Sequence, residues 1–340
     1  MEAVTIVGAG GIGCALGYAL RVAGIAVTFV EANAEKVRWG RNHGVCVDRR
    51  APRSAEFQLF EEWTPKPADI TLLCTKCFHN AEVLARLPDT VTLIPIQNGF
   101  DRALAARHSV EGIASFVSEC HPARTHTLIT RQGRLHLGGR GSQPTTDRHL
   151  VLAKLLSCTG LFRVESVPDI LPYKHTKLMY NAAIGPLAAA AGLDNGQLLS
   201  RRTARRLFFA LLRENYTILH QAGIALGKIG PFHPTTVQQI LQRAIVARLL
   251  SWAFYPSLHG TYCSMNADLP AGRTEIDYYN GYLIELAADR PCPLNRQVYD
   301  LVKRMERESL APGMHWLEEL SIPHANPQKC MAETPFSHHT

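Results

Sequence analysis

Lys177 and Asn181 stand four residues apart in a stretch of helical pattern, with Gly185 one turn further on, so a cation, an amide and a gap share one helix face. A lysine so placed can stabilise charge developing on a carbonyl oxygen and deliver a proton to it. Far downstream, Arg273-Thr274-Glu275-Ile276-Asp277-Tyr278-Tyr279-Asn280-Gly281 puts a carboxylate, Glu275, near the start of another helical stretch. Periodicity alone does not say that these two helices meet. Near the chain start, Gly8-Ala9-Gly10-Gly11-Ile12-Gly13 offers different chemistry. Its glycines permit a tight turn, a close approach of backbone to a pyrophosphate and close packing of helix on strand.

The elements around that glycine run give it meaning. Val4-Thr5-Ile6-Val7 is a short β-branched strand, the glycines follow it, and a helical stretch runs through Ala23 to a stop at Gly24. Ala26–Val30 reads as a second buried strand ending at Glu31, which completes a βαβ unit with the pyrophosphate expected at the helix N-terminus. Glu31 follows Gly13 by 18 residues, where a carboxylate accepts hydrogen bonds from the adenosine ribose. It would repel a 2′-phosphate, so the expected cofactor is NAD rather than NADP; Arg38 and Arg41 follow closely enough to leave NADP open.

Further apolar runs at 70–74 and 91–96 flank a helical segment near Asn80 to Arg86 and extend the parallel sheet, with Lys76 and Asn98 just past the strand ends where such sheets bind ligands. Shorter strands are expected around 112–118, 125–130 and 134–137. From about Asp169 the pattern becomes helical, at roughly 169–191, 200–222, 235–255, 274–288 and 295–308. The expected fold is α/β: a Rossmann-type doubly wound parallel sheet over residues 1–167, an all-α substrate and dimerisation domain over 168–322, and an aperiodic, disordered tail over 323–340.

With 340 residues, 46% hydrophobic and 19% charged, the chain has material for two cores and is not a disordered polymer. The net charge of +7 is scattered apart from Arg201, Arg202, Arg205 and Arg206, a solvated helix face, so no nucleic-acid partner is expected. The apolar start is glycine-punctuated and lacks a basic leader region, and the stretch 178–193 is broken by Asn181, Gly185 and Pro186. Neither a leader nor a membrane segment is expected. Nine cysteines, an odd number, without a leader read as reduced thiols of a cytoplasmic protein. Cys74 and Cys77 form a CxxC with no second ligand pair at metal-site spacing, so they are expected to be ordinary thiols and no metal site is expected.

Taken with Thr75-Lys76, Gln97-Asn98-Gly99, Lys177-Leu178-Met179-Tyr180-Asn181, Asn195-Gly196, Ser264-Met265 and Thr274-Glu275 through Gly281, the glycine run resembles the ketopantoate reductase (2-dehydropantoate 2-reductase) family over residues 1 to about 310. The resemblance implies that Lys177 is the general acid and Glu275 its active-site partner. It implies too that Lys76 and Asn98 line the cofactor and active-site cleft and that Asn181, Asn195 and Ser264 lie on the substrate side. The implied reaction is NAD(P)H-dependent reduction of a 2-oxo acid to a 2-hydroxy acid, and the implied assembly a homodimer; the aromatic cluster Trp252, Phe254 and Tyr255 reads equally as part of a subunit interface or as core packing. Three departures stand out: Glu31 where the family commonly has a basic residue, Gly185 where it has an asparagine, and a segment between Ser264 and Glu275 one residue shorter. Glu31 bears on the cofactor, while Gly185 makes a different 2-oxo acid, or an imine as in opine-type dehydrogenases, the alternative substrate. A non-catalytic dinucleotide-binding regulator is the alternative from outside enzymology, against which Lys177 and Glu275 speak jointly.

Overall fold

The computed structural model describes residues 3–66, 70–141, 147–241 and 259–322. The tail from 323 and the aromatic trio Trp252, Phe254 and Tyr255 lie outside the described residues.

The first strand, β1 (Ala3–Val7), is the centre of a five-stranded parallel sheet with β2 (Ala26–Glu31), β4 (Glu56–Leu59), β5 (Ile70–Leu73) and β6 (Thr92–Pro95) in the order β4-β2-β1-β5-β6, while β3 (Cys46–Val47) joins another sheet. Val4 registers with Val27 on one side and Ile70 on the other. Buried on both sides, these strands are near-continuously apolar. One face packs on α1 (Gly11–Val22), where Gly17 lets the helix settle against Phe29. The other face, Val7, Val30 and Leu73, packs on Trp63 and on α3 (Asn80–Arg86) through Val83; α2 (Ala34–His43) joins β2 to β3.

After the turn α4 (Arg102–Ala105), the chain builds β7 (Val110–Ala114), β8 (Val117–Cys120), β9 (His126–Arg131), β10 (Arg134–Gly139), α5 (Arg148–Ser157) and β11 (Arg163–Asp169). These strands form two three-stranded sheets, β11-β10-β7 and β3-β9-β8. The single strand expected over 112–118 is in fact two, broken at Ser115-Phe116, where the backbone of Gly133 packs too closely to admit a Cβ.

Beyond Asp169 the described residues are helical: α6 (Leu171–Ala191), α7 (Asn195–Ser200), α8 (Arg202–Gln221), α9 (Pro234–Leu241) and then helices Ser264–Asp268, Asn280–Ala287, Pro293–Glu308 and His315–Glu318 around one apolar core. The helix expected from 274 opens instead as a 3-10 turn, Ile276–Tyr278, because the backbone at Glu275 and Tyr279 is not helical.

A buried charge cluster fixes α6 to the sheets. Lys174 and His108 hold the carboxylate of Glu111, with Arg140 at 3.0 Å. Burial alone would raise the Glu111 carboxyl, but Lys174 and His108 together hold it far below the ordinary range. Pro186 sits within α6, and Asn280 ties the helix Asn280–Ala287 to α6 through the Ala182 carbonyl at 3.0 Å. The helix carrying Lys177 is thereby locked in place relative to the sheet ends.

Candidate active site

A cavity of about 1220 Å³ runs between the ends of the parallel strands and α6. That exceeds the roughly 300–1,000 Å³ of an ordinary small-molecule pocket and suits a dinucleotide together with a second ligand.

At one end lies the glycine loop. Gly8 has φ of +98°, and a Cβ there would meet the Thr75 backbone nitrogen at 2.9 Å. A Cβ on Gly13 would strike the Gly8 carbonyl oxygen, whereas Gly10 faces open space and lines the cavity. The N-terminus of α1 has neither a side-chain cap nor an acidic residue in its first turn, so its free N–H groups and positive dipole end face the cavity. Beside it the buried Ser118 hydroxyl, on the wall against Gly11, has no hydrogen-bond partner among the described residues. These features fit a dinucleotide pyrophosphate: donors without acceptors around a cradle that side chains would fill. Glu31, at the end of β2, accepts from the Ala9 N–H and the Asn33 N–H at 3.0 Å each. Its carboxylate is thus fixed at the rim where an adenosine ribose would lie.

At the other end are the polar side chains. Lys177, Asn181 and Gly185 project into the cavity from α6 as their spacing requires. The Lys177 ammonium is lowered from 10.5 to about 8, first by burial and then by the neighbouring charge of Arg131. Lys76 reaches across from the end of β5 to Asp268 at 2.5 Å and Glu275 at 3.5 Å. Burial pushes Lys76 down, yet the two carboxylates more than offset it and its ammonium is held above the ordinary value. Glu275 also accepts from the Cys77 N–H at 3.1 Å and the Tyr279 hydroxyl at 3.2 Å. Burial and the carboxylate of Glu275 drive the Tyr279 phenol well above its usual range.

Of the sequence-derived candidates, Gly8, Gly10, Gly11, Ile12, Glu31, Lys76, Asn98, Lys177, Asn181, Asn195, Ser264 and Glu275 line this one cavity. Ala9 and Gly13 stand behind its wall as supports for the loop. Asn195, at the start of α7, keeps a buried Oδ1 without a partner among the described residues, an acceptor at the cavity wall. Glu275 is paired with Lys76 and Tyr279 rather than with Lys177. Sequence reasoning missed Asp268 and Arg131. Gln97 was quoted only as part of a motif; it frames the site, bonding Thr75 at 2.8 Å and Asn80 at 2.7 Å. Cys74 and Cys77 are free thiols, and no cluster of metal-ligating side chains occurs among the described residues.

Family models described as "Ketopantoate reductase PanE/ApbA" and "Ketopantoate reductase PanE/ApbA C terminal" match residues 4–142 and 169–306. The chain belongs to the ketopantoate reductase family. A 2-dehydropantoate 2-reductase of Archaeoglobus fulgidus is 24% identical over 318 residues, covering 90% of this chain and 98% of the relative. That of Pyrobaculum aerophilum is 29% identical over 237 residues, or 67% and 76% of the two chains. Among solved structures, a PanE/ApbA family ketopantoate reductase from Ralstonia eutropha superposes with a TM-score of 0.70 at 21% identity, covering 90% of this chain and 99% of that one. D-mandelate dehydrogenase, solved with NADH and anilino(oxo)acetate, superposes with a TM-score of 0.72 at 19% identity and the same coverage. The fold is the family's. No helix among the described residues is long and apolar enough to cross a membrane.

Proposed function

We propose that this oxidoreductase reduces a 2-oxo acid to the 2-hydroxy acid, nominally 2-dehydropantoate to pantoate, with Lys177 as the proton donor. The observation that carries the reading is a buried-side lysine, unpaired among the described residues and lowered to about 8, in the same cavity as the dinucleotide loop. A lysine so tuned is charged at neutral pH and gives up its proton readily.

When bound, the nicotinamide supplies the hydride that the carbonyl carbon receives. Lys177 Nζ donates a hydrogen bond to the carbonyl oxygen, transfers a proton as negative charge gathers there, and is reprotonated from solvent. Lys76 is held by Asp268 and Glu275, so it supports the cavity wall and leaves Lys177 as the free ammonium. Asn181, Asn195 and Ser264 orient the substrate, Asn195 through its unpartnered Oδ1. Gly8 through Gly13 and Asn98 hold the cofactor, and the fixed carboxylate of Glu31 favours NAD by disfavouring a 2′-phosphate. Arg41 is engaged with the Phe57 carbonyl at 2.9 Å, while Arg38 is exposed and keeps NADP as the second choice. Residues 1–167 are read as the dinucleotide domain and 168–322 as the substrate and dimerisation domain of a cytoplasmic homodimer. A Staphylococcus aureus ketopantoate reductase of similar fold is described as dimeric.

A second reading changes the substrate and keeps the chemistry. Among the described residues nothing beyond the adjoining backbone of α6 lies within 4 Å of where a Gly185 Cβ would stand, and Ile184, Phe208 and Leu212 line the same cavity. A 2-oxo acid with a larger apolar substituent fits that space. Initial rates of NADH and NADPH oxidation with 2-dehydropantoate and with aromatic and branched 2-oxo acids decide between the readings. Turnover of none of them would refute both.

A further inference from the structure

Among the described residues, five cationic side chains line the cavity: Lys36, Lys76, Arg131, Arg134 and Lys177. Three are occupied. Lys76 bridges Asp268 and Glu275, Arg134 pairs with Glu165 at 2.8 Å, and Lys36 lies against the Cys120 thiol. Arg131 and Lys177 have no hydrogen-bond or ion-pair partner among the described residues; both line the same cavity, and the Arg131 charge adds to burial in lowering Lys177. A half-buried arginine left without an acceptor beside a second cation is costly unless an anion comes to it.

The position of Arg131 is built rather than incidental. It is the last residue of β9, registered against Val117 of β8. The next turn is pinned because Gly133 packs directly on the backbone of Ser115 and Phe116. Ser118, one residue after Val117, touches Gly11 of the dinucleotide loop. Arg131 therefore lines the cavity on the hairpin that also presents Ser118 to the dinucleotide loop.

In a 2-oxo acid the carboxylate is bonded directly to the reacting carbonyl carbon. Whatever holds it must stand beside the group that serves the carbonyl oxygen, which is Lys177. The Lys76 cluster is the poorer site for it: Asp268 and Glu275 with Lys76 sum to one net negative charge, while Arg131 and Lys177 sum to two positive ones. Resting on the reductase reading above, we propose that Arg131 anchors the substrate carboxylate, setting the carbonyl oxygen against Lys177. A guanidinium suits this role because its parallel N–H groups match a carboxylate with two hydrogen bonds. The same contact makes the enzyme specific for acids over their esters and amides.

Arg131→Gln and Arg131→Lys test the assignment in the full chain. Oxamate, an unreactive mimic of a 2-oxo acid, is titrated calorimetrically into the protein saturated with its preferred reduced nicotinamide, so the readout does not depend on turnover. Losing a charge-assisted contact weakens oxamate binding by about 10- to 100-fold in Arg131→Gln, with partial recovery in Arg131→Lys. The KM for the preferred 2-oxo acid rises in parallel, while the KM for its methyl ester and cofactor affinity stay within about threefold of the unsubstituted protein. Oxamate affinity unchanged by the substitution, no oxamate binding at all, or equal KM rises for acid and ester would each overturn the assignment. A cofactor KM that rises in place of the acid KM overturns it too, giving Arg131 to the dinucleotide. Oxamate binding through Arg131 without turnover of any 2-oxo acid would instead uphold the anchor and remove the reductase reading.

Discussion

Replacing Lys177 by methionine separates what this residue does for catalysis from what it costs the fold. Burial and the Arg131 charge bring its ammonium from 10.5 to about 8, so keeping it charged is harder in the folded chain than in the unfolded one. At about 1.4 kcal/mol per pH unit that interval corresponds to roughly 3 kcal/mol, and partial contact with solvent reduces it to roughly 1–2 kcal/mol. The cost is present in full below about pH 8, where Lys177 is protonated in both states. Between about 8 and 10.5 the folded chain releases its proton first, so stability rises with pH. Lys177→Met keeps the length of the side chain and drops the charge. At pH 7 it should raise stability by about 1–2 kcal/mol in urea unfolding, with a gain that shrinks at pH 9.5, while 2-oxo acid turnover falls by at least about 100-fold. A variant that is no more stable at pH 7, or one that turns over normally, refutes the reasoning.

Since reduction needs Lys177 protonated, kcat/KM for the 2-oxo acid should fall about tenfold per pH unit above about pH 8, read from initial rates across pH 6 to 10. Lys76→Met leaves Asp268 and Glu275 facing each other without their cation. Breaking a largely buried pair costs about 3 kcal/mol, to be seen as a lower urea midpoint, together with reduced turnover. Gly13→Ala forces its Cβ onto the Gly8 carbonyl and displaces the loop, so NADH affinity measured by fluorescence titration should drop about tenfold or more.

The parts of this molecule that were readable in its sequence are those where one local rule decides. The β1-α1-β2 unit announces itself because the glycines between a β-branched run and a helix have no other economical use, and the 3-10 and helical turns after Lys76 follow a strand that ends abruptly. The helix of Lys177 and Asn181 was legible from spacing alone. What escaped notice were the two-residue strand β3, the edge strand β4 and the α5–β11 pair, too short or too polar for period to show. The seam at Ser115-Phe116 was also invisible, since only Gly133 from another strand creates it.

The site itself divides along the same line. Lys177 and Asn181 needed one helix, but the Lys76 contacts join residues 192 and 199 positions apart, and no periodicity predicts them. Lys177 was expected to share its cavity with Glu275, and it does, yet Glu275 spends its oxygens on Lys76, Cys77 and Tyr279. That division has a chemical consequence. Had Glu275 paired with Lys177, its charge would have raised the lysine and bound the proton more tightly; with Glu275 turned to Lys76, burial and Arg131 lower it instead. The carboxylate thus neutralises one lysine so that the other stays free to give up its proton. Arg131, an isolated arginine at the end of a polar strand, carries no sequence signal, and only the folded hairpin brings it into the cavity that Lys177 lines.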